Sequence, residues 1–169
     1  MNNILILLAG KYLIFLFTLP FIYFFLTGRR ELVVKAAFSA GLAIGLALFI
    51  NFVFPVARPF EVWQGGPTVP LFFFEYDSNL RTASFPSKHV SAGSAIAFSF
   101  WPQNALLGVA LFVGTLFMGT ARVFSLIHRW IDVIGGVILG LFSYYIIGFS
   151  FKYIEKLYIN FKSQITNNK

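Results

Sequence analysis

Long apolar runs broken by short polar connections dominate this chain. About 20 apolar residues are needed to cross a bilayer as a helix, and the pattern predicts five such spans, over residues 3–27, 32–56, 89–101, 105–124 and 128–151. Gly28-Arg29-Arg30-Glu31 reads as a tight polar turn between the first two, and Pro102-Gln103-Asn104 as a minimal turn between the third and fourth. One long connection remains, residues 57–87, holding Glu61, Glu75, Asp77, Arg81 and the apolar patch Val69-Pro70-Leu71-Phe72-Phe73-Phe74. That patch is too short to span and is expected to lie in the interface. A basic tail, 152–169, offers Tyr153, Leu157, Tyr158 and Phe161 to a lipid surface. The expected architecture is therefore all-α: one membrane-embedded bundle over 1–169, with no second domain. The first run is too long for a cleaved signal peptide and no small-residue cleavage site follows it.

Composition sharpens this picture. Of 169 residues, 58% are hydrophobic and 11% charged, against about 25% charged in soluble domains. The absence of cysteine excludes a disulfide framework, a thiolate zinc site and a cysteine nucleophile. The net charge of +7 is scattered among apolar runs rather than gathered on one strip, so it does not mark nucleic-acid binding. It bears on orientation instead. Arg29, Arg30 and Lys35 at one connection, and Lys152, Lys156, Lys162 and Lys169 in the tail, fall on one side of a five-span topology. The positive-inside rule makes that side cytoplasmic, and an odd number of spans puts the N-terminus outside. Gly41 and Gly45 in the second span, and Gly136 and Gly140 in the fifth, are expected to serve packing within the chain rather than dimerisation.

Charged and polar residues at membrane depth are costly and usually functional. Both histidines, His89 and His128, sit at the outer end of a span, as do Arg58, Lys88, Arg122 and Asp132. They come from separate stretches that the topology brings to one surface. His128 and Asp132, four residues apart, share a helix face, and an aspartate there can fix one ring nitrogen and leave the other as a nucleophile. Arg122, six residues before His128, meets it only if the chain breaks between the fourth and fifth spans. Read alone, this group is equally a snorkelling pair with Arg122 and Arg129 as anchors. Ser84-Phe85-Pro86-Ser87-Lys88-His89 leads into the third span. Ser87 is a suitable N-cap, the helix start beyond it favours phosphate, and His89 could protonate a leaving oxygen; a plain capped helix explains the same residues. Arg58, held by Pro59, offers a planar fork to phosphate or a common boundary arginine.

Together these stretches resemble the type 2 phosphatidic acid phosphatase superfamily (lipid phosphate phosphatases), whose signature reads K-x6-R-P, P-S-G-H and S-R-x5-H-x3-D. The matching stretches are Asn51-x6-Arg58-Pro59, Pro86-Ser87-Lys88-His89 and Ala121-Arg122-x5-His128-x3-Asp132, followed by Gly135-Gly136. Ser84-Phe85-Pro86-Ser87-x-His89 and Ala121-Arg122-Val123-Phe124 are most similar to the undecaprenyl-diphosphatase branch. The resemblance implies that His128 attacks phosphorus and forms a phosphohistidine, that Asp132 orients it, and that His89 protonates the leaving oxygen. It implies phosphate contacts from Arg58, Arg122, Ser87 and backbone N–H groups near Lys88. No metal and no cofactor are implied, and the few carboxylates are not clustered as an oxygen cage.

Three departures stand out: Asn51 for lysine, Lys88 for glycine and Ala121 for serine. Lys88 is expected to replace the charge missing at Asn51; Lys11 is a second possibility, snorkelling its ordinary role. Family members commonly have six spans, so one is expected to be missing at the N-terminus. The expected partners are a lipid phosphate and membrane lipids, with no nucleic acid and no obligate protein partner. The expected function is hydrolysis of a polyprenyl diphosphate at the outer face of the cytoplasmic membrane. The alternatives are another lipid phosphate (phosphatidylglycerophosphate, phosphatidic acid or lipid A) and a catalytically weak lipid-binding or transport protein, which Asn51 favours. Phe72, Phe73 and Phe74 either steer the lipid chain or anchor the interface.

Overall fold

The computed structural model describes residues 12–62 and 83–167. Lys11, most of the long connection with its Phe72-Phe73-Phe74 patch, Glu75, Asp77 and Arg81, the start of the first predicted span and the last two residues of the tail lie outside the described residues. Among those described, the chain is entirely helical: α1 (Thr18–Leu26), α2 (Arg30–Val53), the single turn α3 (Pro59–Val62), α4 (Lys88–Phe100), α5 (Ala105–Phe124) and α6 (Trp130–Asn167). Arg30–Val53, Ala105–Phe124 and Trp130–Ile165 are long and apolar enough to cross a membrane, and Tyr12–Leu26 is a shorter apolar helix. The fold is the expected polytopic membrane bundle.

α4 is the hub. Its 13 residues rise about 20 Å, short of the roughly 30 Å of a hydrocarbon core. α2, α5 and α6 all pack on it, and the run from Val90 to Ala97 is wholly buried. Small side chains make that possible: Ser91, Ala92, Gly93, Ser94, Ala95 and Ala97 let three helices approach one. Facing glycines on α6 complete the fit. A Cβ added at Gly140 would lie 2.6 Å from the Ser91 carbonyl oxygen and 2.8 Å from the Ala95 nitrogen, and one at Gly136 would lie 3.0 Å from the Ser87 carbonyl oxygen. At the other end, Phe24 stacks on Phe100 with centroids 5.1 Å apart, and Phe21 meets the same ring edge-on. With Phe17, Ala36, Ile96, Ala97 and Leu111 they close the apolar core.

Gly41 and Gly45 correct an expectation. Among the described residues a Cβ on either meets nothing within 4 Å, so no described neighbour packs on them; both lie on the exposed side of α2. The contrast is testable. Gly140→Ala forces α4 and α6 apart, because the obstructing atoms include backbone, and is expected to cost about 1–3 kcal/mol. Gly45→Ala is expected to be neutral or slightly stabilising through helix propensity. Melting temperatures of the two variants in detergent check this; equal values would contradict the packing described.

Two helix ends share a design. After α1, Gly28 takes φ 81°, its N–H donates to the Phe25 carbonyl and the Arg29 N–H to that of Phe24. This is a Schellman ending with glycine in the left-handed position. After α5, the Leu126 N–H donates to the Val123 carbonyl and the Ile127 N–H to that of Arg122. Here the left-handed residue is Leu126, at φ 57°, which costs about 1–2 kcal/mol that glycine would avoid. Such strain tends to accompany functional sites, and this turn supplies the chain break the sequence demanded between Arg122 and His128. Pro59 opens α3. The Pro102 turn is capped by Asn104, whose side chain accepts from the Leu107 N–H at 3.0 Å.

The tail does not separate from the last span. α6 runs unbroken to Asn167, and from Lys152 to Ile165 every residue is exposed. Tyr153, Leu157, Tyr158 and Phe161 are all on that projecting stretch.

Candidate active site

The polar residues gather where α2 ends, α4 begins and α5 turns into α6. Backbone bonds hold these segments together: the Ser84 N–H donates to the Val56 carbonyl at 2.7 Å, and the Ser87 N–H to the Asp132 carbonyl at 3.0 Å. The Arg129 guanidinium reaches the Ala57 carbonyl at 3.4 Å. The loop carrying Arg58, the start of α4 and the start of α6 are thus one unit.

His128 and Asp132 are both buried, at 4% and 0% exposure, which removes the snorkelling reading. His128 Nδ1 lies 3.5 Å from Asp132 Oδ2, a loose pairing of the kind that tightens in a substrate complex. Asp132 thus faces Nδ1 and not the other ring nitrogen, Nε2. Asp132 Oδ2 also accepts the Arg129 N–H at 2.7 Å. That is half of a capping box, with the third residue of α6 satisfying the N-cap amide. Burial holds the His128 pKa below the ordinary imidazole range, with the Asp132 hydrogen bond opposing it in part and the charges of Arg122 and Arg58 adding to the depression. The depression favours the neutral ring at neutral pH.

Arg122 is buried, at 7% exposure, in the last turn of α5. Arg58, Lys88, Arg122 and His128 all act electrostatically on His89, and Arg58 and Arg122 on Lys88. Two guanidiniums, an ammonium and two imidazoles from four parts of the chain thus share one neighbourhood. Lys88 and His89 begin α4, where backbone N–H groups lack intrahelical acceptors and favour an anion.

Ser87 departs from the simplest expectation. It occupies the N-cap position with extended φ/ψ, but its side chain makes no capping bond. Its buried hydroxyl has no hydrogen-bond partner among the described residues. Asn51, near the end of α2, is 8% exposed, and neither amide atom has a partner among the described residues. A buried amide without bonds is destabilising by roughly 1–3 kcal/mol. Ala121 is buried beside Arg122. Among the described residues no three histidine, cysteine, aspartate or glutamate side chains gather as a metal site.

One residue of this cluster had no role in the sequence reading. Ser84 is fully buried; its hydroxyl donates to Asp132 Oδ2 and lies 3.4 Å from His128 Nδ1. Its sequence signal is faint: a serine three residues before the N-cap, in a segment whose fold the spacing does not dictate.

A buried histidine–aspartate pair beside clustered arginines is compatible with phosphoryl transfer, which needs mainly positioning and charge stabilisation. The chain belongs to the PAP2 superfamily, which matches residues 32–156. It is 28% identical over 118 residues to the Escherichia coli (strain K12) protein named "Putative undecaprenyl-diphosphatase YbjG", a match covering 69% of this chain and 55% of that protein. The chain thus matches about half the length of that relative. No solved structure matches it.

Proposed function

We propose that this protein hydrolyses a polyprenyl diphosphate, undecaprenyl diphosphate in the first instance, to the monophosphate and inorganic phosphate. The observation that carries the reading is the buried His128–Asp132 pair set among the charges of Arg58, Arg122, Lys88 and His89. Nε2 of His128 attacks the terminal phosphorus as the bond to the bridging oxygen breaks, and His89, protonated under the negative charge of the bound diphosphate, gives that oxygen its proton. Water then attacks the phosphohistidine, gives its proton to His89 and releases phosphate. Arg58, Arg122, the Ser87 hydroxyl and the first N–H groups of α4 balance the charge on the phosphoryl oxygens, so preorganised donors supply the catalysis. Neither step calls for a metal or cofactor.

The relative's name supports the diphosphate substrate; phosphatidylglycerophosphate, phosphatidic acid and lipid A phosphates are the competing substrates within the same chemistry. The site belongs on the outer face of the cytoplasmic membrane, where the positive-inside rule puts the end opposite Arg29, Arg30 and the tail lysines. Phosphate release by purified protein from a panel of these lipids, with and without EDTA, tests the reading. The expected result is fastest turnover of undecaprenyl diphosphate, unchanged by the chelator. Release from none of them would favour the lipid-binding alternative to which Asn51 points.

Lys88 is the cation that stands in for Asn51. It is half-buried at the mouth of the cluster and within the field of Arg58 and Arg122, whereas Asn51 carries no charge. Lys88→Met is therefore expected to abolish turnover, and Asn51→Ala to slow it far less. Steady-state rates of both variants decide; equal, mild effects would discard this role.

A further inference from the structure

We infer that Ser84 is a positioning residue that bridges Asp132 and His128 and thereby sets the orientation and basicity of the nucleophile. Three atoms form a triangle: Ser84 Oγ donates to Asp132 Oδ2, His128 Nδ1 lies 3.4 Å from Oγ, and the same Nδ1 lies 3.5 Å from Oδ2. A serine has one hydroxyl proton. The Ile127 carbonyl, 3.4 Å away, is the weaker acceptor for it, so the proton goes to the carboxylate. The oxygen's lone pairs then face Nδ1–H. Ser84 thus accepts from the imidazole and donates to the aspartate, and Oδ2 is shared by Ser84, the Arg129 N–H and the ring.

The backbone makes the placement rigid. The Ser84 N–H is tied to the Val56 carbonyl, two residues before Arg58, and Ser87, three residues on, is tied to the Asp132 carbonyl. Through its backbone N–H and its hydroxyl together, Ser84 ties the segment before α4 to the stretch before Arg58 and to His128 and Asp132. Full burial keeps bulk water away as a substitute donor.

The consequence has a sign. A donor shared by the carboxylate weakens it as an acceptor for Nδ1–H. Without the Ser84 hydroxyl, Asp132 can close on the ring and favour the imidazolium. The groups acting on His128 are Asp132 from α6, Arg122 from α5, Arg58 from the segment before α3 and His89 from α4. Removing the hydroxyl takes a neutral acceptor from Nδ1–H but frees Oδ2, a charged and stronger acceptor, to close on the ring. The His128 titration midpoint therefore moves to higher pH, and its Nδ1–H tautomer is held less firmly.

The inference rests on the phosphatase reading for its purpose, but its test does not. The chain has two histidines, so ¹⁵N-histidine labelling of the full-length protein in detergent gives two rings, and the His128→Ala spectrum assigns them. Ser84→Ala is expected to raise the His128 midpoint by about half a pH unit or more. On the lipid phosphate that the wild type turns over, it should lower kcat about ten- to a hundredfold, with KM little changed. Ser84→Cys separates bonding from packing, because a thiol fills the space but donates weakly. It should behave like Ser84→Ala, and Ser84→Thr, which keeps the hydroxyl, should restore the wild-type midpoint. A cysteine variant with the wild-type titration, or an alanine variant with an unmoved midpoint, would overturn the inference. If the alanine variant does not fold, the cysteine variant carries the decision. Wild-type protein inactive on every lipid phosphate would instead sink the functional reading and leave the titration result standing.

Discussion

His128→Ala is expected to lower phosphate release by a factor on the order of 10⁴ or more, because in the proposed mechanism it removes the atom that forms the covalent bond. The fold should tolerate the change. His128 sits in the turn between α5 and α6, and the polar contacts of its side chain with Ser84 and Asp132 are loose. The Schellman bonds that shape the turn come from the backbone of Leu126 and Ile127. A variant with an unchanged melting temperature and no turnover is the predicted outcome. Activity within tenfold of wild type would remove His128 from the reaction even if the protein proved to be a phosphatase.

Asp132→Asn is expected to have the next largest effect, a loss of about 10²–10⁴ in kcat. The carboxylate does two things in this structure. It faces Nδ1 of His128, and it satisfies the Arg129 amide that opens α6. Asparagine keeps a carbonyl oxygen for the helix cap, so stability should fall by no more than about 1 kcal/mol. It loses the charge that stabilises an imidazolium, and its NH₂ group can present a donor where the ring needs an acceptor. The nucleophile is then held in the wrong tautomer or turned away. Rates at saturating substrate, with KM within a few-fold of wild type, distinguish this from lost binding. Retention of activity within threefold would contradict the orienting role of Asp132.

Much of the fold was legible because a bilayer allows few solutions. Runs of about 20 apolar residues must be helices, and the bounds of α5 coincide with those expected. The gathering of Arg58, His89, Arg122, His128 and Asp132 was legible for a related reason, since charge at membrane depth is too costly to be idle. Glycines were only half legible. Gly136 and Gly140 do pack on α4, but Gly41 and Gly45, with the same spacing, meet no neighbour among the described residues. Spacing alone does not say which side of a helix meets a neighbour when nearly every position is apolar. The tail was read as a separate segment because it is basic, yet no proline stands between Trp130 and Asn167 and no glycine after Gly148, so α6 continues through it.

The remaining features lie in geometry that no motif spacing encodes. Leu126 occupies a left-handed position that sequence rules reserve for glycine. Ser84 reaches Asp132 across 48 residues, and its contact depends on how the loop before α4 folds over the start of α6. Ser87 was read as an N-cap and does sit at that position, but its hydroxyl is not used for capping. That difference bears on function, because a buried hydroxyl with no protein partner among the described residues can serve a phosphoryl oxygen.

The central claim is that a phosphoryl group passes through His128. Brief mixing of purified protein with undecaprenyl diphosphate labelled in its terminal phosphate, followed by alkaline quenching and peptide mapping, tests it most directly. The account predicts an acid-labile, base-stable label on the peptide containing His128, absent in His128→Ala and more abundant in His89→Ala, where the activator of water is missing. Steady phosphate release by the wild type with no label on that peptide in either wild type or His89→Ala would contradict it.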